Sequence, residues 1–208
     1  MAKNLLVLKG KALWAKVFEP DTRFDSDGVY SIDLLVPEDE AAAMCEQLEG
    51  IVQEEFKKAV KKKPALKNDL STQFPFAPEY DDETGDATGN IKFRVKAKAK
   101  ITTRDGKTFT QSVAVVDAKR TPMDGSVLVG NGSTVKVAFE AAPYTMMSTK
   151  KSGASLRLKA VQVIDLVEHG STPTSIFDEE DGFESQTTAK SEASSVFEEE
   201  VATDDDDF

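Results

Sequence analysis

From Ile91 to Ile101 the chain alternates without a break. Ile91, Phe93, Val95, Ala97, Ala99 and Ile101 are apolar, and Lys92, Arg94, Lys96, Lys98 and Lys100 between them are cationic. A helix would scatter those charges around its circumference, whereas a pleated strand buries one set and wets the other. One half-buried strand needs neighbours to cover its apolar face. The same period-two pattern recurs near 3–18, 28–36, 108–117, 133–143 and 154–168, which with 90–104 makes six expected strands. Arg104-Asp105-Gly106-Lys107 contains an Asp-Gly pair suited to a type I′ turn, so the basic strand is expected to pair antiparallel with the one after it. Pro122–Gly132, with three glycines, reads as a loop.

One segment breaks the pattern. Between Pro37 and Pro64 the apolar residues Ala41, Met44, Leu48, Ile51, Val52, Phe56 and Val60 recur every three or four positions, which predicts an amphipathic helix over about 38–63. Carboxylates at Glu38, Asp39 and Glu40 and lysines at 61–63 suit its two ends, an explanation of those lysines preferred to contact with a nucleic acid. Residues 66–90 are polar and turn-rich, with Pro75 and Pro78, and are expected to form a long loop. Strands that do not alternate with helices argue for a small closed or partly open antiparallel barrel of five or six strands, interrupted by one helix.

Taken as a whole, the formal charge of −11 disfavours a polyanionic partner, but it is unevenly placed. Residues 171–208 hold 13 carboxylates against the single cation Lys190, leaving 25 cations and 24 anions in residues 1–170. We therefore expect a near-neutral domain over 1–170 and an aperiodic, disordered acidic tail over 171–208. The tail ends Asp204-Asp205-Asp206-Asp207-Phe208, and Phe177, Phe183, Phe197 and Phe208 lie among its acids like docking points. Leu5–Leu8 is too short for a secretory core and no stretch has membrane-spanning length, so a soluble intracellular protein without membrane contact is expected. With one cysteine, Cys45, and one histidine, His169, neither a disulfide framework nor a Cys/His metal cage can form.

No enzyme signature emerges. Gly106-Lys107-Thr108 lacks the earlier glycine of a phosphate loop, which would fall at Ile101, and Asp81–Asp86 lacks the spacing of a calcium loop. No cofactor is implied. The basic strand says more: alternate residues about 6.6–6.8 Å apart set five charges in a row at roughly the pitch of an extended phosphate backbone. Sequence-independent binding of single strands also needs aromatic platforms. Trp14, Tyr30, Phe74, Phe76, Tyr80, Phe109 and Tyr144 are candidates, and Tyr144 is the best placed because Pro143-Tyr144 falls where a strand breaks into a loop.

Several segments together resemble the replication single-stranded DNA-binding proteins of short-tailed bacteriophages. They are Gly28-Val29-Tyr30-Ser31-Ile32-Asp33-Leu34 before the helix, Lys92-Phe93-Arg94, Val115-Val116-Asp117, Ala142-Pro143-Tyr144, Gly153-Ala154-Ser155-Leu156-Arg157-Leu158, and the acidic tail closing on Phe208. The resemblance implies an OB-like barrel that binds single-stranded DNA weakly, without strong sequence preference, and promotes annealing during phage replication, recombination and repair in the cytoplasm of the infected bacterial host. It carries over Lys92, Arg94 and Tyr144 as DNA contacts, beside Lys96, Lys98, Lys100 and Trp14 from the reading above. It also implies that the tail, through Asp204–Asp207 and Phe208, docks on the phage DNA polymerase and helicase-primase. Where a family member has an aromatic two positions past the basic pair, this chain has Lys96, so its binding should lean more on salt.

A 38-residue flexible tail reaches roughly 30–37 Å, enough to compete for a basic groove, and exchange between two copies would make a weak homodimer. The competing assignment is an acidic-tailed chaperone or DNA mimic that binds basic partners, with the barrel as scaffold.

Overall fold

The computed structural model describes residues 5–81, 83–103 and 105–168. In chain order these form β1 (Leu5–Asp21), β2 (Val29–Pro37), α1 (Glu38–Lys62), β3 (Ser71–Gln73), β4 (Phe76–Tyr80), β5 (Ala87–Lys98), β6 (Lys100–Thr102), β7 (Thr108–Thr110), β8 (Ala114–Val116), β9 (Thr134–Met146) and β10 (Lys151–Asp165). The tail, including Asp204–Phe208, lies outside the described residues, and so do the expectations that fall on it.

Hydrogen-bonded neighbours run β10–β9–β1–β2–β5, and β5 pairs back onto β10, closing a five-stranded OB-like barrel. Four of these pairings are antiparallel, but the closing one is parallel, joining Leu156 to Val95 and Arg157 to Lys96. The expectation of a wholly antiparallel barrel is corrected by arithmetic: directions cannot alternate all round a ring with an odd number of members.

Alternation along each strand fills the interior. Phe93, Val95 and Ala97 of β5 meet Ile32, Leu34 and Val36 of β2, Val135, Val137 and Phe139 of β9, and Leu156 and Leu158 of β10, all buried. In β10 the inward set changes from 156 and 158 to Val161 and Val163 across a register shift between Leu158 and Ala160, since one extra residue flips every later side chain. The helix is as expected. Acids occupy its first turn and Lys61 and Lys62 its last, and Ala41, Leu48, Val52 and Ala59 are buried where it covers β9 and β10.

The segment 66–90 is not the long loop its composition suggests. A short 3-10 turn (Pro64–Asn68) leads into β3, which runs parallel to β10, and into β4, which pairs antiparallel with β5. Pro78 is tolerated because β4 ends the sheet, where a missing N–H costs no ladder bond. The expected strand at 108–117 is also divided. β7 pairs with β6 in a separate two-stranded ribbon, and β8 runs parallel to β10. The turn of that ribbon is not type I′: Gly106, at φ 75°, donates its N–H to Thr103 O, and Thr103 N–H to Lys107 O, the pattern of a three-residue loop with a glycine bulge.

Gly10 shows how closely the barrel is wound. A Cβ there would stand 2.6 Å from Leu35 O and 2.9 Å from Val36 Cγ2. Gly10→Ala should therefore cost about 1–3 kcal/mol, by the logic of overpacking, read as a lower urea midpoint with unchanged slope. An unshifted midpoint would mean that β1 and β2 separate at no cost.

Candidate nucleic-acid interface

On the outer face of β5, Lys92 is half-buried and Arg94, Lys96, Lys98 and Lys100 are exposed, alternating with buried Phe93, Val95, Ala97 and Ala99. The structure does not keep the five cations together. Lys92, Arg94 and Lys96 line one open groove of about 450 Å³, together with Gln73–Ala77, Tyr144 and Ala154–Leu156. Lys98 turns to Asp25 at 3.2 Å and Asp27 at 3.8 Å. Lys100 leaves the barrel altogether, because the strand breaks at Ala99, whose N–H donates to Gly28 O and whose carbonyl accepts the Gln111 N–H.

Tyr144 is placed by its partner across β9 and β10, which is Gly153. A Cβ on Gly153 would lie 2.8 Å from the Tyr144 Oη and 2.6 Å from Gln73 O, so only glycine lets the phenol lie across β10 with β3 pairing beside it. The Tyr144 hydroxyl donates to Gln73 Oε1 at 3.2 Å. Next to Gln73 the Phe74 ring stacks on Phe76 at 5.7 Å, and Phe76 packs on buried Phe93 at 5.7 Å. The groove thus sets two aromatics, Phe74 and Tyr144, beside three cations, the combination that suits single-stranded nucleic acid.

The three cations differ in kind. Arg94 is forked onto Asp33 of β2, directly opposite in register, with Nη2 2.9 Å from Oδ2 and Nε 3.1 Å from Oδ1. The Asp33 side chain is almost fully covered, and its hydrogen bonds raise the pKa of Arg94 further. Lys92 and Lys96 have no carboxylate partner among the described residues. Lys96 lies opposite Arg157 across the parallel seam, and Ser31 and then Lys16 continue the same row onto β2 and β1. Sequence reasoning passed over Arg157, although Leu156-Arg157-Leu158 alternates as the basic strand does.

Trp14 stands apart from this groove. It lines a second hollow of about 460 Å³ with Lys16, Arg23, Ser31, Leu128 and Asn131. Its backbone has φ 51°, a left-handed conformation that costs an L residue about 1–2 kcal/mol. Its N–H donates to Asn131 Oδ1 at 2.8 Å. Nearby, Arg23 hydrogen-bonds Asp21 in a fork and holds that carboxyl down at about 2, so Asp21 stays charged at neutral pH.

Of the other aromatic candidates, Tyr30 is buried in the core and cannot meet a ligand, while Tyr80 and Phe109 are exposed on β4 and on the β6–β7 ribbon. Phe24, which the sequence gave no reason to select, is 93% exposed between β1 and β2, with Arg23 over its ring at 5.8 Å. Lys58, Lys62 and Lys63 at the end of α1 line a different hollow with Met147. Among the described residues no three His, Cys, Asp or Glu side chains stand close enough to hold a metal ion.

Comparison with known proteins bears on this geometry. The family described as single-stranded DNA-binding protein, bacteriophage T7, matches residues 11–166. The chain is 27% identical over 194 residues to the single-stranded DNA-binding protein of Escherichia phage T7, covering 86% of this chain and 80% of that one. Against the protein of the same description from Enterobacteria phage T3 it is 26% identical over 153 residues, covering 69% and 64%. The crystal structure of the bacteriophage T7 protein shares the fold with a TM-score of 0.67 at 24% identity, over 88% of this chain and 100% of that one. The single-stranded DNA-binding protein of bacteriophage Enc34, solved in complex with single-stranded DNA, shares it with a TM-score of 0.50 at 14% identity, over 80% and 89%. Because the family match runs from the first barrel strand to the end of the last, this chain belongs to the family of single-stranded DNA-binding proteins represented by that of bacteriophage T7.

Proposed function

We propose that the chain holds single-stranded DNA in the groove between Phe74 and Tyr144, with phosphates on Lys92 and Lys96 and bases against the two rings. The observation that carries this reading is the convergence, in one open groove on the barrel face, of exposed Phe74 and half-buried Tyr144 with Lys92 and Lys96, which have no carboxylate partner among the described residues. Contacts to backbone and ring faces do not depend on base identity, so sequence preference is weak. The finer role is DNA replication and recombination in an infected bacterium, where the chain protects unpaired strands and brings complementary ones together. In that role the acidic tail competes with DNA, and on release its Asp204–Phe208 end recruits the phage polymerase and helicase-primase. Support for the tail's part is its 13 carboxylates and terminal Phe208, beside the family membership.

Fluorescence anisotropy of a labelled oligo-dT over a salt series tests this. Tyr144→Ala should weaken binding by about 1–3 kcal/mol, the worth of one stacked base, while Tyr144→Phe keeps most of the affinity. Lys92→Ala and Lys96→Ala should each flatten the slope of log K against log salt by about 0.7. Full affinity in all three alanine variants would remove the groove assignment. A chain ending at Gly170 should bind more tightly than the full chain; if neither binds, the acidic-chaperone reading takes over.

Asp33 is expected to hold affinity down, because it occupies the fork that Arg94 would offer a phosphate. Asp33→Asn keeps an acceptor for Arg94 but removes the competing charge, so it should tighten binding at low salt and steepen the salt slope by up to about 0.7. Looser binding would show that Arg94 works only when Asp33 orients it.

A further inference from the structure

Trp14 is on the wrong side of its strand. In β1 the side chains of Leu6, Leu8 and Ala12 point inward, and the same period would send Trp14 into the core after them. Instead the pairing with β2 slips between Leu13 and Lys16, the backbone enters the left-handed region, and the indole emerges 70% exposed, while Val17 resumes the inward set. Bulges of this kind re-aim a side chain.

The outward position is secured from a second direction. Asn131 accepts the Trp14 N–H, and its neighbours are anchored to β1: Gly132 N–H donates to Ala12 O, and Ala12 N–H to Ser133 O. Buried Ser133 donates its hydroxyl to Gly130 O at 2.8 Å and accepts the Val167 N–H at 3.0 Å. A large apolar ring is therefore held in water by a strained backbone and a braced loop. Strain over-determined by its surroundings is a mark of a binding position.

The hollow beside the indole suits one class of ligand. Leu128 and Ala15 give it apolar surface, Ser31 and Asn131 supply hydrogen-bonding groups, and Lys16 brings positive charge, the charges of Arg23 and Asp21 offsetting one another. Asp21 is the one carboxylate in the lining, and both its oxygens are engaged by Arg23. A row of register partners leads from the hollow to the first groove. Lys96 lies in that groove, Ser31 is its register partner on β2, and Lys16 is the partner of Ser31 on β1, so the two sites are joined by a cross-strand row. Two strand spacings of about 4.8 Å separate Lys96 from Lys16.

We infer that this hollow is a second nucleobase subsite, in which Trp14 stacks a base of the same DNA strand that occupies the Tyr144 groove. The inference rests on the DNA reading above. It sets the direction of the strand, which runs across β5, β2 and β1 rather than along the basic row of β5. Lys98 and Lys100 then lie off its path.

Trp14 is the only tryptophan in the chain, so its emission reports this subsite alone. The experiment titrates the full-length protein with end-labelled oligo-dT of increasing length, recording label anisotropy and Trp14 emission together. Oligonucleotides too short to span both sites should raise the anisotropy and leave the emission unchanged. At about four nucleotides and above, the low end of the site sizes of such barrels, the emission should be quenched and the affinity should step up. Trp14→Asn suits the left-handed backbone but offers no ring. It should lose that step, binding long oligonucleotides roughly 5- to 150-fold more weakly, the equivalent of one lost stack, with short ones unaffected. Trp14→Phe should regain it. Long oligonucleotides that bind while leaving Trp14 emission unquenched would overturn the subsite and leave the groove standing. No binding at any length would overturn the DNA reading and the subsite with it. Should Trp14→Asn fail to give a cooperative thermal melt, the quenching in the unaltered protein still decides.

Discussion

The pairing of Leu156 with Val95 and Arg157 with Lys96 is only two residues long, yet it turns a row of five strands into a closed surface. Parallel ladders are slightly weaker per residue than antiparallel ones, so this seam holds because the side chains beneath it, Val95, Leu156 and Leu158 among them, share one core. Its position decides what stands beside the basic strand. Along β10, residues before the seam pair with β3 and with the outer half of β9, so Gly153, Tyr144 and Gln73 are delivered to the flank of Lys92 and Arg94. Without closure, Tyr144 and the lysines would belong to opposite ends of an open sheet.

Electrostatics then sorts the four cations that β5 carries in this row, Lys92 to Lys98, into three kinds. Lys92 and Lys96 keep their charge for a ligand, Arg94 shares its charge with Asp33, and Lys98 is held by Asp25 and Asp27 between β1 and β2. The exposed pairs at Lys98 are worth little in stability, since screening and side-chain entropy offset the attraction. The Arg94 fork differs because the Asp33 side chain is almost fully covered.

Much of this could be read in the sequence, and the exceptions have physical causes. The alternation from Ile91 to Ile101 and the helix from Glu38 were legible because their periods are unbroken and the helix has charged ends of the right sign. β3 and β4 were not, because Pro75 and Pro78 argue against a strand unless the strand is known to lie at an edge, which is a tertiary fact. The fate of Lys100 was hidden for the same reason: the break at Ala99 is set by Gly28 and Gln111, both distant in sequence. Tyr144 was singled out because the Pro-Tyr step was read as a strand breaking into a loop, but β9 runs on to Met146 and Tyr144 pairs within it; its reliance on Gly153 appears only when β9 and β10 pair. For Trp14 the residue type pointed to a platform, while the bulge that turns it outward has no signature in residues 12–17.

The three rings at 74, 76 and 93 form a ladder from the barrel centre to the groove. Its inner ring is fully enclosed and Phe76 rests on it, so the exposed Phe74 has its footing on the packed interior. On the proposed reading, the surface that meets a base is therefore backed by the barrel core. A binding surface already in its working shape loses no free energy to rearrangement on contact. On that reading, the lifetime of the complex is set by how quickly separate stacks and phosphate contacts come apart one after another, so a strand could be released nucleotide by nucleotide rather than all at once.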